Sequence, residues 1–360
     1  VSTCFFTSSA RAITWQVGFF KNHIALIGFM KIAVVILNWN GRKLLETFLP
    51  SLVRYSKEAS LYVVDNASTD DSISFLKTNF PEVQVVVNPE NGGFSKGYNE
   101  ALKQIDASIY ALVNSDVEVT ENWLAPVIEE FQKHPNTGIV QPKILDYKNR
   151  DTFEYAGAGG GFLDALGYPY CRGRIFNSLE KDRGQFDDSI SIQWASGACF
   201  FIKSSIFQEL EGFDEDYFAH QEEIDLCWRT SNLGHDIRYV GTSTVYHVGG
   251  ATLQESNAYK TFLNFRNSLY SLVKNLPSDK VLQLIFIRMC LDGIAGIRFV
   301  LQGRPIHTIA IVKSHISFYR NAKKMFAKRA YSKHKQKFFQ TKSIVWSHFV
   351  MNIRKWNKLV

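Results

Sequence analysis

Residues Ile32 to Leu37 read I-A-V-V-I-L, and Asn38-Trp39-Asn40-Gly41 follows. A continuous aliphatic run of this length, closed by a turn signal, marks a parallel strand buried on both faces. The same unit recurs outward from it. Lys43 to Tyr55 reads as a helix, Leu61 to Val64 as a second strand, and Ser68 or Thr69 as the N-cap of a helix over Ser72 to Lys77. Val83 to Val87 is a third strand, and Gly92-Gly93 leads into a helix through Gln104. Ile109 to Val113 is a fourth strand, stopped by Asn114-Ser115-Asp116; a helix over Asn122 to Lys133 and a strand at Gly138 to Val140 follow. This alternation with short turns predicts an α/β fold: a Rossmann-like, mostly parallel sheet flanked by helices.

The flanks of this unit differ from it. The first 29 residues show neither strand nor helix periodicity, and the apolar stretch Phe19 to Met30 is too short to span a bilayer. Met30 is therefore expected to be the natural start, with residues 1–29 as upstream translated sequence. After Pro142 the rhythm breaks, and Asp146 to Asp188 is rich in Gly, aromatic and charged residues. A stretch this long reads as a functional insertion, with Tyr155 to Gly161 and Arg172-Gly173-Arg174 either facing an acceptor or only shaping a mobile lid. Regular structure resumes near Ser191 to Ile202 and continues to about Gly250. From Ser271 to Val360 the chain holds 18 Lys and Arg against Asp279 and Asp292 alone, which makes it +16 and leaves −9 on the preceding 270 residues of a +7 protein.

This basic tail reads as helical. Val281 to Leu301 is densely apolar, with Arg288, Asp292, Arg298 and Gln302 falling within about 120° on a helical wheel. Lys313 to Lys358 carries 13 Lys and Arg and no acid, interleaved with aromatic residues. Basic and aromatic residues together point to an anionic membrane surface. Nucleic acid is not expected as a partner, because the body is acidic and no recognition motif is present. The domains expected are 1–29 as an extension, 30–270 as the α/β domain and 271–360 as a basic amphipathic helical extension. At 46% hydrophobic and 21% charged residues the composition is globular, which excludes wholesale disorder. Five Cys without a C-x-x-C pair exclude a zinc ribbon and suit a reducing compartment.

In open parallel sheets, ligands bind beyond the carboxyl ends of the strands. Each strand predicted here ends there in polar residues: Asn38-Trp39-Asn40, Asp65-Asn66-Ala67-Ser68-Thr69-Asp70, Asn88-Pro89-Glu90-Asn91-Gly92-Gly93 and Asn114-Ser115-Asp116. Singly each serves as an Asx turn; four on one rim describe a site. No G-x-G-x-x-G follows the first strand and no G-x-x-x-x-G-K-[ST] occurs anywhere, which argues against a dinucleotide enzyme and a P-loop ATPase. An acidic rim repels phosphate unless a divalent cation intervenes. Asp116 is the natural oxygen ligand, with Mn²⁺ or Mg²⁺ held mainly by the phosphates of the ligand. A second acidic cluster, Glu222-Glu223-x-Asp225, opens a helix, where the helix dipole alone accounts for it. Read alone, His247 is a core or turn histidine.

The segments V-V-I-L-N-W-N-G, L-Y-V-V-D-N-A-S-T-D-D-S, N-x-E-N-G-G-F-S-x-G-Y-N, L-V-N-S-D-V, W-A-S-G-A-C-F-F, G-F-D-E-D-Y-F-A-H-Q-E-E-I-D-L-C-W-R and V-Y-H-V-G-G-A-T occur in this order between Lys31 and Asn267. This order resembles family 2 glycosyltransferases of the GT-A fold. With F-E-Y-A-G-A-G-G-G-F-L-D it is similar to their bacterial rhamnosyltransferase-like members. The resemblance implies an inverting transfer from a nucleoside diphosphate sugar, of dTDP-rhamnose or UDP-hexose type. It places Asn38, Asn40, Asp65, Asn66, Ser68, Asp70, Asn91, Gly92, Gly93 and Asn114 on the donor. The family's D-x-D falls on Asn114-Ser115-Asp116, so Asp116 is left as the main metal contact, with His247 near the metal or diphosphate. The second acid of the E-D-x-D pattern, the general base, maps to Glu223, where the family has Asp; Glu222 is placed to share the role. Trp194, Gly197, Asp225, Trp228 and Arg229 fall on the acceptor side, the two tryptophans either stacking on sugar rings or packing in the core. The implied acceptor is a saccharide, or a lipid-linked saccharide at the inner face of the cytoplasmic membrane. A nucleotidyltransferase and a non-catalytic sugar-nucleotide or membrane-binding module are the competing readings.

Overall fold

The aliphatic runs form the centre of a nine-stranded sheet. A computed structural model describes residues 30–249, 257–329 and 338–359; the stretch read above as upstream of Met30 lies outside them. The α/β part runs β1 (Ile32–Asn38), α1 (Arg42–Tyr55), β2 (Ser60–Asp65), α2 (Ser72–Asn79), β3 (Gln84–Val87), α3 (Gly93–Leu102), β4 (Ile109–Asn114), β5 (Val117–Val119), α4 (Ala125–Lys133) and β6 (Thr137–Asp146). There follow β7 (Gly161–Leu163), β8 (Pro169–Cys171), β9 (Arg174–Ile175), β10 (Ser178–Leu179), β11 (Ser189–Ile192), β12 (Cys199–Lys203), α5 (Ser204–Glu209), α6 (Glu222–Asn232) and β13 (Asp236–His247). The main sheet has the order β11-β13-β6-β12-β4-β1-β2-β3, with β5 beside β13. β1 pairs in parallel with β2 and β4, β2 with β3, and β6 with β13; β12 enters antiparallel between β4 and β6. The α/β, Rossmann-like expectation holds.

Successive side chains of a strand point to opposite faces, and β1 feeds two cores. Val34 and Ile36 pack with Leu45 and Leu49 of α1, while Ala33 and Val35 pack with Tyr98 and Leu102 of α3. The register sets Asn38 opposite Asp65, and Leu37 opposite Asn114. The polar strand ends therefore share one level of the sheet.

Three local expectations are corrected. α2 is not capped by Ser68 or Thr69: Asp70 Oδ1 accepts from the Ser72 amide at 3.1 Å and from its hydroxyl at 2.6 Å. The strand expected at Gly138 to Val140 continues to Asp146, through Gln141, Pro142 and Lys143. The 146–188 insertion is ordered, forming a small antiparallel sheet β10-β9-β8-β7, and its arginines face inward. Arg172 reaches Asp188 with two bonds of 3.0 and 2.7 Å, and Arg174 is buried over the Tyr155 ring. Gly161 lies where a Cβ would stand 2.2 Å from the Trp194 ring. The glycines thus form a close-packed seam.

The chain ends in α7 (Ala258–Asn275), α8 (Val281–Leu301), α9 (Pro305–Ala327) and α10 (Ile344–Phe349). α7 runs through position 270 without a break and packs on α6. No helix among the described residues is long and apolar enough to cross a membrane.

Candidate active site

The rim closes on itself before any ligand arrives. Asn38 donates from Nδ2 to Asp65 Oδ1 and to Ser68 Oγ, both at 3.3 Å, and Asp65 Oδ2 accepts from the Ser68 amide at 2.9 Å. Asn40, at φ 50°, turns its Oδ1 onto the amides of Thr69 (2.7 Å) and Asp70 (3.3 Å). Asp70 Oδ2 accepts from the Arg42 amide at 3.1 Å. Asn66 donates to Asn91 Oδ1 (2.9 Å) and to the Gly93 carbonyl (3.1 Å), and Asn91 Oδ1 also accepts from the Gly93 amide. Gly92 directly precedes α3, and Gly93, at φ +75°, lies so near Phe218 that a Cβ would stand 3.1 Å from its carbonyl oxygen. Asn88 ties these loops together, donating to Asn66 Oδ1 and to the Gly97 carbonyl. Asn38 Oδ1 is buried with no partner among the described residues. A polar rim prebuilt to this degree needs little reordering to receive a ligand.

Asp116 and His247 meet at the far end of this rim. β5 and β13 pair so that His247 stands opposite Val117, and His247 Nε2 lies 3.2 Å from Asp116 Oδ1. Glu154 Oε1 stands 3.4 Å from His247 Nδ1. Burial would lower the histidine's pKa, but its bonds to Asp116 and Glu154 outweigh that and raise it to about 10. Glu154 is a site residue that the sequence reading passed over, although it lies inside the F-E-Y-A-G segment. Among the described residues no three His, Cys, Asp or Glu side chains converge as a cation cage. Asp116 and the nearby Asn114 suit a hard cation that takes most of its oxygen ligands from a bound diphosphate, whereas His247, protonated at neutral pH beside Asp116 and Glu154, must release its proton before it can ligate that cation.

The carboxylate pair opens α6. The turn before it is strained: Phe218, His220 and Gln221 have φ of 66°, 68° and 73°. Asn267 of α7 holds that turn, donating from Nδ2 to the carbonyls of Tyr217 (3.0 Å), Ala219 (2.9 Å) and His220 (2.7 Å). Glu222 and Glu223 each keep a buried Oε2 with no partner among the described residues. Burial raises the pKa of Glu223, and burial together with the neighbouring Glu223 charge raises that of Glu222. Gly197 faces Glu223, and a Cβ there would sit 3.8 Å from the glutamate side chain. The next residue, Ala198, accepts a bond from the Asn114 amide at 2.9 Å. A short chain of contacts thus joins the carboxylate pair to the rim.

The remaining acceptor-side candidates are part of the scaffold. Trp194 is buried and donates to the Phe162 carbonyl at 2.9 Å, and Trp228 stacks on Phe338 at 5.1 Å. Both indoles pack in the core, not on the rim. Asp225 is fully buried and receives Lys274 at 2.7 Å, Arg229 at 2.8 Å and Asn275 at 2.8 Å. Arg229 also donates to the Leu210 and Gly212 carbonyls. Lys274, Asn275 and Asn267 were invisible as site residues because their partners lie about 50 positions away.

Comparison with known proteins agrees with this fold. The family model described as glycosyl transferase family 2 matches residues 33–211. An N-acetylglucosaminyl-diphospho-decaprenol L-rhamnosyltransferase of Mycobacterium tuberculosis is 26% identical over 233 residues, 59% of this chain and 75% of that protein. Among solved structures, TarS 1-349 of S. aureus with UDP-GlcNAc superposes with a TM-score of 0.55 at 16% identity, over 83% of this chain and 84% of that one. GalNAc-T7 with UDP, GalNAc and Mn²⁺ gives 0.55 at 17% identity, over 70% of this chain and 49% of that one. At these identities the structural likeness is one of fold. With the family match, the ordered motifs and this fold together, the chain belongs to glycosyl transferase family 2 and is of the bacterial rhamnosyltransferase-like type.

Proposed function

We propose that the protein is an inverting glycosyltransferase that moves a sugar from a nucleoside diphosphate donor, of dTDP-rhamnose or UDP-hexose type, to a saccharide or lipid-linked acceptor in bacterial surface polysaccharide synthesis. The observation that supports this best is Glu223. Its side chain is half-buried, its Oε2 is buried with no partner among the described residues, and it stands beside side-chain-free Gly197, within a few residues of the donor rim. A buried carboxylate oxygen with no partner costs stability unless a ligand uses it.

Asp65, Asn38 and Ser68 hold the base and ribose, and the Asn91 to Gly93 turn lets the backbone approach the donor. Glu223 takes the proton of the acceptor hydroxyl as that oxygen bonds to C1 of the donor sugar. The C1–oxygen bond to the diphosphate breaks on the opposite face, and its electron pair leaves with the diphosphate. Mn²⁺ or Mg²⁺, held by Asp116, would stabilise the charge on that leaving group, with the protonated His247 beside the diphosphate. The M. tuberculosis relative is named for a decaprenol-linked acceptor, and the +16 tail suits the anionic membrane surface where such an acceptor resides. This reading puts the enzyme at the inner face of the cytoplasmic membrane. It also divides the chain into a 30–270 catalytic domain and a 271–360 extension.

The test is a thermal-shift and hydrolysis screen with Mn²⁺ or Mg²⁺ against dTDP-rhamnose, UDP-glucose, UDP-galactose, UDP-N-acetylglucosamine and GDP-mannose. Wild type and Asp116→Ala are compared. One donor should give a metal-dependent shift that the variant loses. No shift and no turnover with any donor, with or without lipid-linked acceptor, would favour the non-catalytic binding module.

A further inference from the structure

α8 and α9 are built inside out. Arg288 and Asp292 on α8 are 3% and 1% exposed, whereas Leu282, Phe286 and Ile297 are 74%, 69% and 63% exposed. Arg288 spends its guanidinium inside the protein, on the Leu166 carbonyl (2.9 Å), the Ser268 hydroxyl (2.6 Å) and the face of Tyr168. Asp292 pairs with His315 of α9 at 3.1 Å. Burying charge while leaving aliphatic side chains in water reverses the usual sign of both terms. Such a helix is stable where its outer face meets something apolar.

α9 continues this surface. The helices run antiparallel, with Gly296 against Thr308, Asp292 against His315 and Met289 against Tyr319. Each turns its buried side to the body, so their outer sides face the same way. On α9 that side carries Ile306, Ile309, Val312 and Ile316. α10 extends it with exposed Trp346 and Phe349, the latter under Arg298. A contiguous apolar face of this size is rare on a protein that meets only water.

We propose that the outer face of α8 and α9 inserts into the acyl boundary of an anionic lipid bilayer, with the helices lying in the plane of the membrane. Charge selects this occupant over a second copy of the chain. Beyond Asp279 the sequence holds one acid, Asp292, and it is buried. Exposed Arg304, Lys313, Arg320 and Lys323 border the apolar residues, where they meet lipid phosphates; two copies face to face would oppose these charges. The inference deepens the membrane contact in the proposed function, replacing a purely electrostatic dock with insertion.

The experiment uses the full chain with vesicles of phosphatidylcholine, with and without phosphatidylglycerol. A nitroxide on Cys290, which is exposed on the outer side of α8, in a Cys4→Ser background, reports depth. Expected are binding that survives about 0.5 M salt, where exposed charge pairs are screened, and a label accessible to lipid-soluble oxygen. Phe286→Asp with Ile309→Asp should weaken binding about tenfold or more with an unchanged melting temperature. Binding abolished by salt or by Lys313→Glu with Arg320→Glu, yet indifferent to the aspartates, would overturn insertion and leave the electrostatic contact standing. No vesicle binding, with a dimer dissociated by the aspartates, would overturn both and assign the face to a second copy.

Discussion

Glu223 and Asp225 stand two positions apart on α6, yet the two sides of that helix treat a carboxylate in opposite ways. The side toward α7 surrounds Asp225 with Lys274, Arg229, Asn275 and the Tyr217 hydroxyl. Burial alone would raise its pKa, but the charges of Lys274 and Arg229 outweigh that and hold it well below the usual carboxylate range. The side toward the rim leaves Glu222 and Glu223 with unpartnered oxygens, and burial raises their pKa values. The same residue class at the same helix end is therefore fully partnered on one side and left with open oxygens on the other. What separates them is the second partner, not the motif.

The largest expected effect breaks the rim side. Glu223→Gln keeps shape and burial and removes the proton acceptor, so kcat should fall about 10²- to 10⁴-fold. The melting temperature should hold or rise, since the charge at an unpartnered buried oxygen is gone. A kcat within a few-fold of wild type would move the base to Glu222. Asp225→Asn acts on the other side. It takes the carboxylate from Arg229 and leaves Lys274 its second carboxylate, Asp214, at 2.7 Å, and should cost about 3 kcal/mol in denaturant unfolding. Turnover per folded molecule should fall far less than in Glu223→Gln.

pH should separate the two sides by sign. Glu223, raised by burial, holds its proton in the folded state after the unfolded chain has released it near its ordinary value of about 4.3. Its contribution to stability is present below that value and is lost as pH rises through the raised pKa. Turnover should climb over the same window, because the base works only when ionised. Asp225, depressed in the fold, contributes above its unfolded value and loses that contribution as pH falls through the depressed pKa. Melting curves of wild type, Glu223→Gln and Asp225→Asn across pH should show the first variant flattening the neutral limb and the second the acid limb.

Asn267→Ala tests the link between the sides. It strips one donor from the carbonyls of Tyr217, Ala219 and His220, in a turn with three residues at positive φ. The expected cost is about 1–3 kcal/mol. kcat should fall with donor binding unchanged, because the turn aims Glu222 and Glu223. A purely structural role would lower the melting temperature and leave kcat per folded molecule intact.

These differences explain what could be read in advance. β1, β2 and β4 declared themselves because strands buried on both faces need unbroken aliphatic runs. β6 was cut short at Val140 because Gln141, Pro142 and Lys143 look like a strand end. Gln141 is satisfied by the Gly157 carbonyl and the Ser196 amide, and Lys143 by Asp182 and Asp187. Those partners come from the insertion and from the approach to β12, which no local pattern reveals. The rim residues were legible because strand ends at a shared level must be polar to bind anything. The polar stripe on α8 was legible as a stripe, but not that its first half turns inward, where Arg288 answers to Leu166 and Ser268 while Arg298 and Gln302 stay exposed.

Trp228 carries the smallest expected effect and decides between core and sugar platform. Its indole stacks on Phe338 at 5.1 Å, and its Nε1 is buried without a partner among the described residues. Trp228→Phe removes apolar area, which destabilises, and also removes an orphaned donor, which stabilises. The two terms oppose, and the net change in stability should stay within about 1.5 kcal/mol. Acceptor KM should not move, because both faces of the site reached from Gly197 and Glu223 remain as they were. A several-fold rise in acceptor KM with unchanged stability would instead put the indole on the substrate, and the comparison would then have to count Trp228 with Glu223 on the rim side of the helix.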